Sequence, residues 1–118
     1  MGGRDLMASA QTGSGKTAAF LFPIIANLMN NDFRKGRPRT EGWGRSCKAF
    51  PLAVVMAPTR ELAVQIFEEA RKFTTCSRLI PLVVYGGVPY TPQARQVERG
   101  VDIIIATPGT SYYYFCAL

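Results

Sequence analysis

Histidine is absent from this sequence of 118 residues, and cysteine occurs only three times, as Cys47, Cys76 and Cys116. Structural zinc sites are built from cysteine and histidine ligands at short, regular spacings, and these three positions show no such spacing. An odd number of cysteines also provides no complete set of disulfide pairs. The composition therefore argues against a structural zinc centre. Its simplest interpretation is reduced thiols in an intracellular compartment, cytoplasmic and/or nuclear.

Long apolar runs are missing as well. No segment approaches the ~18 uninterrupted apolar residues of a membrane-spanning helix. The first twenty residues are polar and glycine-rich where a signal peptide needs an apolar core. Apolar residues nevertheless make up 47% of the sequence and charged residues 19%. This balance is typical of a globular domain, and the length is sufficient for one domain with its own core.

Acidic residues are scarce. Aspartate and glutamate number 8 against 14 lysines and arginines, which gives a net charge of +6. The excess favours a polyanionic partner such as nucleic acid, although many basic proteins merely stay soluble in this way. Six of the basic residues lie in segment 31–50. That segment is interpreted as a surface insertion, and either a solvated loop or a nucleic-acid contact would explain its charge.

Short apolar runs alternate with segments of helical periodicity. Runs rich in valine and isoleucine, without polar alternation, are typical of strands buried on both faces of a parallel sheet. The runs are residues 5–9, 51–57, 79–85 and 101–106. The helical spacing predicts crossover helices over residues 15–30, 60–73 and 91–99. The pattern predicts an α/β fold, a parallel sheet of about four strands with helices on both faces and right-handed crossovers.

The stretch AQTGSGKT lies between the first predicted strand and the first predicted helix. Gly13 and Gly15 allow backbone angles and a close approach that side chains would block, so that backbone amides can point at a phosphate. Lys16 would place a charge at the β- and γ-phosphates, and the Thr17 hydroxyl would hold Mg²⁺. We therefore predict an ATP-phosphate site formed by Ala10, Gln11, Thr12, Gly13, Ser14, Gly15, Lys16 and Thr17. The alternative is a glycine-rich turn with a chance lysine.

Three further motifs follow the loop in order: PTREL at 58–62, GG at 86–87 and TPG at 107–109. With Ala10 at the loop position where the usual pattern has glycine, this order resembles the DEAD-box RNA helicases. Segments 3–24 and 57–73 are most similar to the subfamily of Vasa and the helicases linked to translation initiation. The resemblance covers residues 3–109, weakly across the insertion. It implies an incomplete RecA-like N-terminal domain that uses ATP and Mg²⁺ and binds single-stranded or duplex RNA.

Each of the three motifs comes directly after an apolar predicted strand. The carboxyl ends of parallel strands meet at one edge of a sheet, where ligands bind, and phosphates can be held there without the bases being read. The resemblance implies RNA-backbone contacts from Pro58, Thr59, Arg60, Gly86, Gly87, Thr107, Pro108 and Gly109. The structural alternative is that Thr59 caps a helix, Arg60 is a surface charge and residues 108–109 form a turn.

The sequence departs from the family pattern after the third motif. The family has arginine where this chain has Thr110, and the uncharged segment SYYYFCAL follows. We expect residues 1–109 to form a partial N-terminal ATP-binding domain and residues 110–118 to form an atypical tail. The family's DEAD, SAT and Q motifs and its second domain have no counterpart here. Asp102 precedes the core of its strand and is no substitute for the DEAD acids.

The resemblance thus implies a fragment of an ATP-dependent RNA helicase. The parent would couple ATP hydrolysis to RNA unwinding, and the fragment would bind ATP–Mg²⁺ and the RNA backbone. One alternative is a non-catalytic product that binds RNA or a helicase partner. The other is a different phosphate-loop ATPase or a kinase. The PTREL and TPG motifs at strand ends argue against this second alternative.

We expect the 118-residue chain to show no RNA-stimulated ATP hydrolysis. Phosphoryl transfer requires both charge compensation and a positioned water, and Lys16 and Thr17 cannot supply both. Phosphate release by the purified chain, measured with and without RNA, tests this expectation. Stimulated release that is lost in the Lys16→Ala variant would contradict it.

Overall fold

The computed structural model describes residues 4–11, 13–30 and 51–110. The predicted insertion at 31–50, and the predicted tail apart from Thr110, lie outside the described residues. Within the described ranges, helices and strands alternate along the chain. They are α1 (Lys16–Asn30), β1 (Ala53–Met56), α2 (Arg60–Thr74), β2 (Pro81–Val84), α3 (Tyr90–Glu98) and β3 (Ile103–Ala106).

The three strands form a parallel sheet in the order β1-β3-β2. Ile104 of the central strand β3 lies opposite Val54 of β1 on one side and Leu82 of β2 on the other. All four residues of β3 are buried. A strand covered on both faces requires apolar side chains at every position, which explains its uninterrupted run of isoleucine. The predicted α/β class with a parallel sheet is confirmed.

Helices cover both faces of the sheet. Successive strand residues point to opposite faces. Ile103 and Ile105 therefore belong to the core cluster that α1 and α2 form on one face, whereas Ile104 and Ala106 pack in the cluster that contains Val97 of α3. The predicted arrangement of helices on both faces is confirmed. None of the helices in the described part of the chain is long and apolar enough to cross a membrane.

Helix α2 is specified by strong local signals. Thr59 precedes its first turn, and the Thr59 hydroxyl accepts a hydrogen bond from the backbone N–H of Leu62 at 3.3 Å. Glu61 in the first turn and basic residues in the last turn complement the helix dipole. Its apolar stripe packs against the sheet and α1, where the rings of Phe22 and Phe73 lie 4.6 Å apart between centroids.

The predicted strand at residues 5–9 is wrong. Residues 4–10 have no regular structure, and the side chains of Leu6 and Met7 are 89% and 98% exposed. On one side β1 pairs with β3, and no described strand lies on its other side. An apolar segment does not hold an extended strand conformation without a neighbour that satisfies its backbone hydrogen bonds. The described sheet therefore has three strands, where the sequence predicted about four.

Asp102 ties the amino ends of the strands together. Its side chain is fully buried, and the Oδ2 atom accepts a hydrogen bond from the backbone N–H of Ile80 at 2.8 Å. The Asp102 carbonyl accepts hydrogen bonds from the backbone N–H groups of Leu52 and Ala53 at 2.8 and 3.1 Å. This carboxylate therefore lies at the amino end of the sheet, opposite the end from which the predicted RNA contacts emerge.

Truncation of the central strand should cost most of the stability of this small sheet. Ile105 is fully buried, so Ile105→Ala should lower the free energy of unfolding by about 2–5 kcal/mol through the cavity it leaves. The matched control Ile80→Ala removes the same atoms from a side chain that is 49% exposed, and should cost less than about 1 kcal/mol. Urea denaturation measures both, and equal losses would contradict the central role of β3.

Candidate nucleotide and nucleic-acid site

An open cleft of about 660 Å³ lies where the three strands end. The last residues of the strands are Met56, Val84 and Ala106, and the segments that follow them converge because parallel strands end at the same edge. The cleft is lined by Pro58, Arg60, Tyr85, Gly86, Gly87, Val88, Gln93, Thr107, Gly109 and Thr110. The structure thus brings together residues from all three motifs that the sequence singled out after the phosphate loop.

Arg60 and Gly87 are in direct contact across the cleft. Arg60 is the first residue of α2, and its guanidinium carbon lies 5.7 Å from the centroid of the Tyr85 ring. A methyl group on Gly87 would overlap the guanidinium of Arg60. Gly87 also has a φ of +79°, a backbone angle that residues other than glycine rarely adopt. The positive φ therefore favours glycine at this position, and the missing side chain leaves room for the Arg60 guanidinium against the backbone.

Gln93 holds the segment that leads into the double glycine. Its side-chain Oε1 accepts a hydrogen bond from the backbone N–H of Tyr85 at 3.0 Å. Its Nε2 donates to the backbone carbonyl of the same residue at 3.2 Å. Tyr85 is the first residue after β2, so the amide of Gln93 satisfies both backbone groups at the point where the chain leaves that strand.

Thr110 closes the turn at the end of β3. Its hydroxyl lies 3.2 Å from the hydroxyl of Thr107, and its backbone N–H donates to the Thr107 carbonyl at 3.1 Å. The side chain is buried, with 8% exposed, and its Oγ1 would lie 3.2 Å from a Cβ added to Gly86. Thr110 therefore lines the cleft with an uncharged side chain at the position where the DEAD-box helicases that the sequence resembles have arginine.

Two of the predicted RNA contacts, Thr59 and Pro108, do not line the cleft. The hydroxyl of Thr59 is used inside α2, where it accepts the hydrogen bond from Leu62 N–H. This is the helix-capping role that the sequence left open as the alternative for Thr59. Pro108 lies between the lining residues Thr107 and Gly109.

The phosphate loop lies apart from the cleft, at the start of α1. Gly13 and Gly15 have φ values of +80° and +78°. The Ser14 hydroxyl donates to the Gln11 carbonyl at 2.7 Å, and the ammonium of Lys16 donates to the carbonyl of Ala10. Thr12, another predicted loop residue, lies outside the described residues. None of the described residues of this loop lines the cleft, so the two predicted sites are formed by different residues.

The sequence matches the model of the DEAD/DEAH box helicase family over residues 1–116. The chain belongs to this family. Among solved structures, the yeast DEAD-box splicing factor Prp28 is 30% identical with a TM-score of 0.74; the match covers 95% of this chain and 24% of that one. Prp28 from Chaetomium thermophilum, bound to ADP, is 39% identical with a TM-score of 0.68, over 92% and 24% of the two chains.

A hypothetical ATP-dependent RNA helicase from Sulfolobus tokodaii is 32% identical with a TM-score of 0.66, over 91% of this chain and 25% of that one. This chain thus spans about a quarter of the solved chains that it matches. The DEAD-box family, the RecA-like fold and the N-terminal domain predicted from the motifs are confirmed. The roles of individual residues stay predictions.

The loop of this DEAD-box domain fits the phosphates of a nucleotide. The first backbone hydrogen bond of α1 runs from Ala19 N–H to the Gly15 carbonyl. The backbone N–H groups that precede Ala19 therefore donate no hydrogen bond within the helix. No atom of the described residues lies within 4 Å of a Cβ added to Gly13 or Gly15, which leaves this side of the loop open to a ligand. Lys16 and the half-buried Thr17 stand at the positive end of this helix, and a threonine hydroxyl is a hard oxygen ligand suited to Mg²⁺.

Sequence reasoning missed four of the described lining residues of the DEAD-box domain: Tyr85, Val88, Gln93 and Thr110. Tyr85 was assigned to the end of a strand and Gln93 to the middle of a helix, and neither position carries a local signal for a site. Their contact joins residues eight apart, which depends on how α3 turns back towards β2. Thr110 was assigned to the tail, although its hydroxyl bonds back to Thr107. A threonine three residues after another was the one available signal.

Gly87→Ala should destabilise the domain and displace Arg60. The positive φ alone should lower the free energy of unfolding by about 1–2 kcal/mol, and the new methyl group should push the guanidinium away. The control is Gly109→Ala in the same cleft, where no described atom lies within 4 Å of the added Cβ and φ is not positive. It should range from neutral to a gain of about 1 kcal/mol. Urea denaturation compares the two, and equal effects would contradict the assigned constraint.

Proposed function

We propose that this DEAD-box domain binds the sugar-phosphate backbone of RNA in the strand-end cleft and ATP–Mg²⁺ at the phosphate loop. The complete helicase would couple ATP hydrolysis to RNA unwinding, whereas the present chain binds without turnover. The observation that carries the proposal is the convergence of three motifs in one cleft. Their residues are separated by up to about 50 positions in the sequence, so a chance turn at any one motif does not explain their meeting.

The chemistry of the cleft suits a phosphate chain. Of the described lining residues only Arg60 is charged, so no lining carboxylate opposes an anion. The exposed double glycine brings backbone amides to the surface without intervening side chains, and Thr107 contributes a hydroxyl. These groups recognise phosphate and sugar rather than base edges, so the proposed binding has little sequence preference.

Each loop residue has a different role in binding a triphosphate. Gly13 and Gly15 allow the backbone to approach the phosphates, Lys16 offsets their charge, and Thr17 ligates the metal through its hydroxyl. The Lys16 ammonium, which contacts the Ala10 carbonyl, would exchange this bond for a stronger one to phosphate. Bound Mg²⁺ would neutralise charge on the β- and γ-phosphate oxygens. Helix α1 packs on α2, whose first residue is Arg60, so one helix pair supports both sites.

We also infer that the chain belongs to the subfamily of Vasa and the translation-linked helicases and acts in the cytoplasm and/or the nucleus. The similarity of segments 3–24 and 57–73 to Vasa and the translation-linked helicases supports membership of that subfamily. The odd number of cysteines and the RNA partner favour the cytoplasm and/or the nucleus.

Arg60→Ala should weaken binding of a fluorescently labelled single-stranded oligonucleotide, measured by anisotropy across a salt series. Loss of one phosphate contact should lower affinity several-fold and reduce the slope of log K against log salt concentration by about 0.7. The matched control is Arg78→Ala, which removes the same charge from an exposed position before β2, at the opposite end of the sheet. An equal loss of affinity in both variants would indicate a non-specific effect of charge and would contradict a role for the cleft.

A further inference from the structure

Gln93 lines the cleft from α3, and it is linked to Arg60 through Tyr85. The side-chain amide of Gln93 bonds both the backbone N–H and the carbonyl of Tyr85, at 3.0 and 3.2 Å. The ring of that tyrosine lies below the Arg60 guanidinium, 5.7 Å from centroid to Cζ. These contacts form a chain of three residues, in which the Gln93 side chain bonds the backbone of Tyr85 and the Tyr85 ring contacts the Arg60 guanidinium.

We propose that Gln93 is a positioning residue for the cleft, which sets the place of Arg60 through Tyr85 and Gly87. The inference rests on the proposed function, because it takes Arg60 as the phosphate contact. The two hydrogen bonds fix the backbone of Tyr85, and with it the direction of the ring and the entry into the double glycine. The guanidinium of Arg60 lies against both this ring and the bare backbone of Gly87.

Glutamine suits this position for a specific chemical reason. The backbone of Tyr85 offers one donor and one acceptor, and a primary amide side chain matches both at once. A carboxylate would accept from the N–H but face the carbonyl with a second acceptor. An alanine would leave both groups without this partner. The half-buried position of Gln93 raises the cost of losing either bond.

Direct contact between Gln93 and RNA is the competing explanation, because Gln93 also lines the cleft. The two explanations make different predictions. A direct contact adds its own increment of affinity whether or not Arg60 is present. A positioning residue acts only through Arg60, so its effect disappears when Arg60 is removed.

The first measurement needs no RNA. Nuclear magnetic resonance of the 118-residue chain follows the side-chain Nε–Hε signal of Arg60 and the backbone amide of Gly87. Gln93→Ala and Gln93→Glu should shift both signals. Gln96→Ala is the matched control, since it removes the same amide from an exposed position of the same helix, and it should leave both unchanged. Unshifted signals in a folded Gln93 variant would overturn the inference.

The second measurement is a double-mutant cycle of Gln93→Ala and Arg60→Ala, with binding of a single-stranded RNA oligonucleotide measured by anisotropy. Gln93→Ala should weaken binding by about three- to tenfold alone, and by less than about twofold when Arg60 is already alanine. Additive losses would assign Gln93 to direct contact and overturn the inference. An ineffective Arg60→Ala would refute the proposed function, whereas the magnetic resonance result would still decide whether Gln93 positions that side chain.

Circular dichroism and urea denaturation establish that each variant is folded. Gln93→Glu serves if Gln93→Ala fails to fold, because the glutamate keeps the acceptor for Tyr85 N–H. Loss of folding in both variants, with Gln96→Ala still folded, would show that the contact serves the fold as a whole and would overturn a positioning role.

Discussion

Parallel pairing of β3 between β1 and β2 is the constraint on which the rest of the molecule depends. The central strand is the last of the three in sequence, so the sheet is complete only when residues about 50 positions apart have met. Its four residues are buried on both faces, which commits α1 and α2 to one side and α3 to the other. Because all three strands run the same way, their carboxyl ends open onto a single edge.

The cleft is a direct consequence of that edge. Ladder bonds continue just past the strands, from Ala57 N–H to the Ala106 carbonyl and from Thr107 N–H to the Val84 carbonyl. These bonds hold the first residues of each connecting segment close to one another. The proposed binding groups, which are helix starts, glycines and short hydroxyl side chains, are therefore held by backbone hydrogen bonds. The contact of Gln93 with Tyr85 adds two more hydrogen bonds to the backbone in the segment before the double glycine.

Local signals predicted most of the fold. The helix expected at 15–30 forms at Lys16–Asn30, and the one expected at 60–73 forms at Arg60–Thr74, because caps and apolar stripes act within a few residues. The apolar run at 5–9 has the same pattern as the observed strands but does not form a strand. A strand also needs a neighbouring strand for its backbone hydrogen bonds, and that neighbour is distant in the sequence. For the site, motif order identified six of the ten described lining residues, including Arg60 and Gly87.

The sequence by itself determined the α/β class, the family and the edge at which the motif residues would gather, because strand direction and motif position are readable along the chain. Only the tertiary structure decided what each side chain does there. It assigned the hydroxyl of Thr59 to a helix cap and left the Arg60 guanidinium against Gly87 in the cleft. It also placed the amide of Gln93 on the backbone of Tyr85. Such contacts depend on how whole helices rotate and pack. Helix packing results from many weak interactions between distant residues, so no short segment of the sequence predicts it.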